Sequence, residues 1–207
     1  MQSAQLPPPR VLLIGAGGTL GRAVAAELAP RYDVITAGRN SGDLRLDLRD
    51  ANSIRAALAQ AGPLDAVVCA AGNVQFAPLL QLSAADWAVG LEDKLMGQVR
   101  LAQLAAEYLR DGGSITLIGG ILAEQPIRQG ASASLVNGAL EAFVRAAAIE
   151  LPRGLRINLV SPTVFIESMP AYGPYFRGFD AVPVARAALA FSRSVEGAQT
   201  GQVLRVH

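Results

Sequence analysis

The sequence of 207 residues contains few of the residue types that catalysis and metal binding most often use. One cysteine excludes a disulfide within the chain and a thiolate metal cluster, and we expect no metal site. The single histidine is His207, the last residue, which argues against catalysis by a positioned imidazole. The single lysine is Lys94, against seventeen arginines. No stretch approaches the roughly 18 consecutive apolar residues that a membrane-spanning helix needs.

The sequence also lacks an excess of charge of either sign. Eighteen basic and 17 acidic residues give a net charge of +1, without a run of like charges, so a basic face that binds nucleic acid is not expected. The opening residues MQSAQLPPPR have no apolar segment typical of a signal peptide. We therefore expect a cytoplasmic protein without a membrane partner, in which residues 1–9 are a disordered or frayed lead-in and residues 10–207 form one domain.

Strand-like and helix-like segments alternate along a chain that is 51% hydrophobic and 17% charged. Apolar runs predict strands at 10–15, 32–37, 44–48, 65–71, 114–118, 155–160 and 201–206. Helical spacing predicts helices at 20–29, 50–61, 83–109, 132–151 and 183–194. This alternation is typical of a single α/β domain with a Rossmann-like, doubly wound parallel sheet. Residues 162–180 are the least regular and are a candidate lid over a site.

A glycine-rich loop connects the first predicted strand with the first helix. Residues 15–21 read Gly-Ala-Gly-Gly-Thr-Leu-Gly, in which the first, fourth and last glycines are three residues apart. Glycines allow the backbone to approach a pyrophosphate, and the N–H groups of the following helix point at the anion. The cofactor-binding residues predicted here are Gly15, Gly17, Gly18, Thr19, Leu20 and Gly21. The alternative is an ordinary glycine-rich turn.

The end of the second predicted strand carries a basic residue. Sites that prefer NAD usually have a carboxylate there, which bonds the ribose 2′-hydroxyl. This chain has Arg39, followed by Asn40 and Ser41, and these side chains suit a 2′-phosphate. We therefore predict that the protein binds NADP(H) in preference to NAD(H). The alternative is that Arg39 is an ordinary surface arginine.

Taken together, these segments resemble the short-chain dehydrogenase/reductase family over residues 10–206. Asp47-Leu48 resembles the pair that touches adenine, and Cys69-Ala70-Ala71-Gly72 is similar to the Asn-Asn-Ala-Gly element beside the ribose. Residues 156–162 are similar to the stretch before the nicotinamide-side loop, and residues 198–204 resemble the closing strand. The resemblance adds to the predicted cofactor-binding residues Asp47, Leu48, Ala70, Ala71, Gly72, Pro162 and Val164.

The same resemblance implies a catalytic Asn, Ser, Tyr and Lys, and none of these is in place. Lys94 stands at the asparagine position, Gly120 at the serine, Ala133 at the tyrosine and Asn137 at the lysine. With one lysine in the chain and Gly90 four residues before it, no Tyr-x-x-x-Lys sequence exists. The family's usual proton donor is therefore missing.

Lys94 is the first candidate for a replacement, because a partly buried amine can titrate near neutral pH. The alternative is a structural lysine, either exposed or paired with Glu92 or Asp93. Asn137 is the second predicted catalytic residue, as a hydrogen-bonding group for substrate. Asn137, Ser132 and Ser134 equally suit a helix N-terminus. Tyr172 and Tyr175 in the candidate lid can either supply a phenol to the site or exclude water from it.

Two main functions remain open from the sequence. The first is an NADP(H)-dependent short-chain oxidoreductase that acts on a small carbonyl or alcohol substrate with an atypical catalytic site. The second is a non-catalytic NADP(H)-binding sensor or regulatory protein, and a third is an isomerase or lyase with a tightly held cofactor. Small alanine faces on two helices, by analogy with the family, imply a homodimer or homotetramer.

Overall fold

Residues 7–207, which a computed structural model describes, form a parallel sheet flanked by helices. The strands are β1 (Arg10–Ile14), β2 (Asp33–Gly38), β3 (Leu44–Arg45), β4 (Leu64–Cys69), β5 (Leu109–Ile118), β6 (Arg156–Pro162) and β7 (Val203–Val206). Their order is β3-β2-β1-β4-β5-β6-β7, so the winding reverses between β1 and β4. This confirms the predicted doubly wound α/β fold. Residues 1–6 of the predicted lead-in lie outside the described residues.

Helices cover both faces of this sheet. They are α1 (Thr19–Leu28), α2 (Ala51–Ala61), α3 (Ala84–Ala88), α4 (Met96–Ala105), α5 (Ala131–Glu150), α6 (Met169–Tyr172) and α7 (Val184–Glu196). A π-helical segment, Val89–Leu95, joins α3 to α4, and 3-10 turns occur at Leu79–Gln81, Ile121–Ala123 and Ile166–Ser168. Within residues 7–207, no helix has both the length and the apolar character needed to cross a membrane.

The apolar strands are explained by burial on both faces. In β1, Val11 and Leu13 pack with apolar residues of α1 and α7, whereas Leu12 and Ile14 pack with those of α2, α4 and α5. A strand covered on one face would alternate apolar and polar side chains, whereas β1 is apolar at each of these positions. The carboxyl ends of the strands therefore remain as the open edge of the layered structure.

The largely helical stretch predicted over residues 83–109 is helical from 84 to 105, but it is not one regular α-helix. The predicted start is correct, since Ser83 and Asp86 form a reciprocal capping box. The helix then widens, because the Met96 N–H bonds the carbonyl of Leu91 five residues earlier, and α4 ends at Ala105. Two backbone bonds turn the chain at 107 and 108, and β5 begins at Leu109, which pairs with Leu64. Strand β5 is consequently longer than the predicted 114–118.

Two further predicted segments differ in extent. Strand β3 is shorter than 44–48 because the Asp47 N–H bonds the Ser53 hydroxyl, outside the sheet. The segment 162–180 is more regular than predicted, since it begins with the last residue of β6 and contains α6. A β-bridge joins Phe165, near the start of the segment, to Val182, which lies two residues beyond its end. The segment is thus a compact loop that leaves the carboxyl edge of the sheet and returns to it.

Candidate functional site

A crevice of about 450 Å³ lies at the carboxyl ends of β1, β2 and β4. Most of the predicted cofactor-binding residues line it: Gly15, Gly17, Gly18, Arg39, Asn40, Ser41, Leu48, Ala70, Ala71 and Gly72. Asn73 and Asp93 also line it, and sequence reasoning missed both. Asp93 is buried and accepts hydrogen bonds from the backbone and side chain of Asn73. Asn73 directly follows Gly72, which is the one signal that could have indicated it.

The glycine-rich loop forms one wall of this crevice with its backbone. Gly15 has a φ of +88°, and a Cβ there would lie 2.8 Å from the Ala71 Cβ. Gly18 is the N-cap of α1 and provides no side-chain cap, and the first turn of α1 holds no acidic residue. A Cβ on Gly21 would overlap the Gly15 carbonyl, so this buried glycine allows α1 to pack against the loop. The open N-terminus of α1 and the bare backbone fit a pyrophosphate.

The 2′ side of the crevice presents Arg39, which is exposed, and within residues 7–207 the carboxylates near the ends of β2 and β3 are paired. The Asp43 carboxylate accepts bonds from the N–H and hydroxyl of Thr36, which lower the Asp43 pKa. Asp47 lies in an adjacent hollow and forms a two-point ion pair with Arg49, at 2.7 and 3.1 Å. This contact lowers the pKa of Asp47 to about 2. Arg39 thus offers a guanidinium at this end of the crevice, and a guanidinium is a group that can bind a phosphate.

A second cavity of about 260 Å³ lies beyond the ends of β5 and β6, and its surface is mainly apolar. It brings together the predicted residues Leu20, Lys94, Asn137, Pro162 and Val164. Its other lining residues are Val74, Phe76, Ile118, Gly119, Gly120, Ile121, Leu122, Ala133, Thr163, Phe165, Ser168, Tyr172 and Phe176. Thr19 and Gly21, by contrast, line neither this cavity nor the crevice.

Lys94 reaches the second cavity from the π-helical segment. Its Nζ donates a hydrogen bond to the Gly119 carbonyl at 3.1 Å. Gly72, with a φ of +140°, leaves space for the lysine stem, because a Cβ there would lie 2.8 Å from the Lys94 Cγ. The crevice and the cavity are therefore adjacent, and Gly72 separates them.

The structure does not pair Lys94 with either neighbouring carboxylate. Glu92 forms an ion pair with Arg100 at 2.8 Å, and Asp93 accepts hydrogen bonds from Asn73. Burial lowers the pKa of the Lys94 ammonium to about 8. An ammonium has three N–H donors, and Gly119 takes one of them. Lys94 can therefore hold or release a proton at the cavity near neutral pH.

Gln98 holds the backbone around Lys94 in place. Its fully buried amide nitrogen donates to the carbonyls of Lys94 and Ile118, each at 3.0 Å, and its oxygen accepts from the Ile118 N–H at 2.8 Å. One amide thus joins the start of α4 to the end of β5. Sequence reasoning missed Gln98, because a single glutamine on a helix gives no indication that it is buried.

Asn137 lies on the cavity side of α5, beyond its first turn. A Cβ on Gly120 would lie 3.0 Å from the Asn137 Nδ2, so the glycine makes room for the amide. The Asn137 Oδ1 and the Thr163 hydroxyl are buried without a protein partner among the described residues. Unpaired buried polar atoms are costly and mark positions where a ligand can bond. Thr163 was also missed, since one threonine after a strand is not distinctive.

Ser132 and Ser134 lie at the N-terminus of α5, as the alternative interpretation had it, but they do not cap the helix. The N-cap is Gly130, and no side chain caps the helix. The hydroxyls of Ser132 and Ser134 instead lie buried without a partner among the described residues. These hydroxyls do not line the cavity, so they are not assigned to the site.

An aromatic contact joins the segment 169–175 to the chain that follows β4. The Phe76 ring lies 6.0 Å from Tyr172 and 6.1 Å from Tyr175, measured between ring centroids. Phe76 and Tyr172 both line the cavity, whereas Tyr175 does not. Tyr172 is therefore the predicted phenol that the structure brings to the site.

Residues 7–207 contain no cluster of three or more His, Cys, Asp or Glu side chains placed to hold a metal ion. Burial raises the pKa of the Cys69 thiol to about 12, so this cysteine stays protonated and unreactive at neutral pH. Among the described residues that line the second cavity, Lys94 is the one with a charged side chain.

Comparison with known proteins identifies relatives across nearly the whole chain. A family model described as enoyl-(acyl carrier protein) reductase matches residues 11–206. The crystal structure of the protein lin1944 from Listeria innocua is 49% identical and superposes with a TM-score of 0.95, covering 96% of this chain and 100% of that one. D-erythrulose reductase of Gallus gallus is 28% identical over 178 residues, which are 77% of this chain and 72% of that protein.

A small-chain dehydrogenase solved in complex with NADPH has the same fold, at 23% identity and a TM-score of 0.86, with 97% of each chain covered. The sheet order, the glycine-rich loop at the open edge and the matched family model all agree with the resemblance found in the sequence. The chain belongs to the short-chain dehydrogenase/reductase family of oxidoreductases.

Proposed function

We propose that this protein is an NADP(H)-dependent reductase of a small carbonyl compound, in which Lys94 provides the proton that the family's tyrosine usually provides. One observation carries the proposal. The Lys94 ammonium reaches a mainly apolar cavity beside the glycine-built crevice and has no carboxylate partner there.

The crevice has the groups that NADP(H) requires. Gly15, Gly17 and Gly18, with the open N-terminus of α1, would hold the pyrophosphate. Arg39, Asn40 and Ser41 would hold the 2′-phosphate. Leu48, Ala70, Ala71 and Gly72 would contact the adenosine half, and Leu20, Pro162 and Val164 would contact the nicotinamide half. When bound, the cofactor supplies hydride chemistry.

The residues of the second cavity would handle the carbonyl oxygen. The Lys94 Nζ, held by Gly119, would donate a proton as negative charge develops on that oxygen. The amide of Asn137 and the hydroxyl of Thr163 lie in the same cavity and can orient the substrate by hydrogen bonding. The apolar lining excludes water, which strengthens each of these interactions.

A non-catalytic NADP(H)-binding protein is the second candidate, and one observation favours it. Gly120 and Ala133, which the sequence resemblance assigns to the positions of the family's serine and tyrosine, line the cavity, and neither has a hydroxyl group. A protein of this type would bind NADP(H) in the crevice and catalyse no reaction in the cavity.

The first experiment measures NADPH consumption with a panel of aldehydes, ketones and quinones, after NADPH binding has been confirmed by titration. Positioned proton donors contribute about 10²–10⁴-fold to rate, so Lys94→Met should lower kcat at least about 100-fold. Its NADPH affinity should change little, since the predicted phosphate contacts lie in the crevice. Wild-type kcat should fall as the pH rises through about 8, as the Lys94 ammonium loses its proton.

Lys94→Arg is the matched control, because it keeps the positive charge but cannot release a proton near neutral pH. It should remain as inactive as Lys94→Met. Tight NADPH binding without turnover on any compound would favour the non-catalytic candidate. Turnover in Lys94→Met equal to that of the wild type would remove Lys94 from the mechanism.

A further inference from the structure

The second cavity has a strongly uneven distribution of polar groups. Its wall is continuous with a small apolar cluster that includes the buried side chains of Ile121, Leu122 and Phe176, against which Val74 and Phe76 pack. The cavity contains no acidic residue and no arginine among its described lining. The buried polar groups of the lining belong to Lys94, Asn137 and Thr163, whereas the hydroxyls of Ser168 and Tyr172 belong to a half-buried and an exposed residue.

This distribution penalises a substrate with several hydroxyl groups. The buried polar groups can satisfy one carbonyl oxygen, but hydroxyls placed against the apolar cluster would be buried without partners. Each buried hydroxyl left unpaired lowers affinity by about tenfold or more. A ring of carbon atoms, by contrast, gains affinity from the same surface.

The cavity is small and open to solvent on one side. Its volume of about 260 Å³ lies below the roughly 300–1,000 Å³ of pockets for drug-sized ligands. On the proposed function, that space also admits the nicotinamide ring beside Leu20, Pro162 and Val164. The volume left over suits a single small ring.

We propose that the substrate is an uncharged carbonyl compound borne on one compact apolar ring, such as an aryl aldehyde or a cyclic ketone, and that Phe76 selects for it. This inference rests on the proposed function, because it places the carbonyl oxygen at Lys94. It separates this chain from its relative in Gallus gallus, whose name gives a polyhydroxylated ketone as substrate. Phe76 is well suited to the role because Tyr172 and Tyr175 hold its ring at the cavity.

The test compares two matched pairs of compounds: cyclohexanone against erythrulose, and benzaldehyde against glyceraldehyde. Binding is measured by saturation-transfer NMR with the protein alone and with saturating NADP⁺, so that no reduction occurs. The ring compounds should bind at least about tenfold more tightly than their hydroxylated partners. Phe76→Asn should weaken binding of both ring compounds by about tenfold.

Leu80→Asn is the control, because Leu80 lies on the same connection, is 97% exposed and does not line the cavity. It should bind the ring compounds as the wild type does. Equal or tighter binding of the hydroxylated compounds, or no binding of the ring compounds under either condition, would overturn the inference. So would a Phe76→Asn protein with unchanged ring binding.

NADPH consumption, measured separately on the same four compounds, distinguishes the two proposals. Preferential binding of the ring compounds without any NADPH consumption would refute the proposed reductase and keep the cavity as a binding site for apolar carbonyl compounds. Faster NADPH consumption with erythrulose or glyceraldehyde would support the reductase and refute the substrate class.

Discussion

The crevice and the second cavity lie side by side at the open edge of the sheet, yet they are built in different ways. The crevice is shaped by backbone at Gly15, Gly17 and Gly18, and an added Cβ would lie within 3 Å of a neighbouring atom at Gly15 and at Gly17. The cavity is shaped by side chains that come from the π-helical segment, α5, β6 and the segment 169–176. The shape of the crevice thus depends on glycines that have no side chain, whereas the chemistry of the cavity depends on which side chains line it.

This difference has a functional consequence. A backbone surface can bind the constant part of a ligand, such as phosphate, with little dependence on side-chain identity. A cavity made of side chains can change its chemistry through a few substitutions while the sheet remains the same. On the proposed function, such changes are found at four residues that line the cavity: Lys94, Asn137, Gly120 and Ala133.

The largest effect should come from adding one methyl group to the crevice. Gly15→Ala combines a left-handed φ of +88° with a Cβ 3.0 Å from the backbone of Ala70. Gly178→Ala has nearly the same φ, +85°, but its Cβ would have no neighbour within 4 Å. Gly178→Ala should lower the free energy of unfolding by about 1 kcal/mol, and Gly15→Ala by about 3 kcal/mol or more.

Urea unfolding measures this pair of variants, and a titration of NADPH tests the site. Gly15→Ala should also bind NADPH much more weakly, whereas Gly178→Ala should bind it normally. Equal losses of stability in the two variants would show that the positive φ alone accounts for both losses. The close approach of the Ala70 backbone to Gly15 would then contribute nothing.

A smaller effect should come from Arg39, the side chain that the proposed function places at the 2′-phosphate. Arg39→Ala removes an exposed guanidinium, and charge-assisted hydrogen bonds are worth about 1.5–3 kcal/mol. NADPH affinity should therefore fall about 10–100-fold, while NADH affinity changes little. Titrations of both cofactors measure the ratio. Arg45→Ala is the control, since Arg45 is also exposed and does not line the crevice. If Arg39→Ala weakened the binding of NADPH and NADH equally, Arg39 would not be the residue that binds the 2′-phosphate.

The sequence predicts the parts that follow from local pattern. Alternating apolar runs and helical spacing were sufficient for the sheet and most helices, because both faces of the sheet are covered. The glycine spacing and Arg39 were sufficient for the crevice, since strand ends of a parallel sheet meet at one edge. Local pattern also indicated Lys94, because a lone lysine stands out among seventeen arginines.

The parts that could not be predicted depend on contacts between distant segments. The π-helical turn is stabilised in place by Gln98, whose partner Ile118 is 20 residues away. The role of Phe76 depends on Tyr172, almost a hundred positions later in the chain. Periodicity describes which face of an element is buried but not which residues meet across the fold. The second cavity is formed almost entirely by contacts between residues that are distant in the sequence.

The smallest effect should come from removing the buried charge of the second cavity. Burial lowers the Lys94 pKa from 10.5 to about 8, so the folded state binds the proton less well than the unfolded state does. Below about pH 8, folding must bury a charged ammonium, and this penalty fades between about pH 8 and 10.5 as the folded protein releases the proton. Lys94→Met should therefore raise the free energy of unfolding at pH 7 by about 1–3 kcal/mol, despite its loss of activity.

Urea unfolding of wild type and Lys94→Met at pH 7 and pH 10 measures this difference. The gap should shrink at the higher pH, because the wild type gains stability there and the variant has no group at this position to titrate. Arg45→Met, a change at an exposed cation, should show no such pH-dependent gap. A Lys94→Met protein that is less stable than the wild type at pH 7 would contradict this prediction. It would mean that the hydrogen bond to Gly119 stabilises the fold by more than the burial of the ammonium destabilises it, so that Lys94 has a structural role.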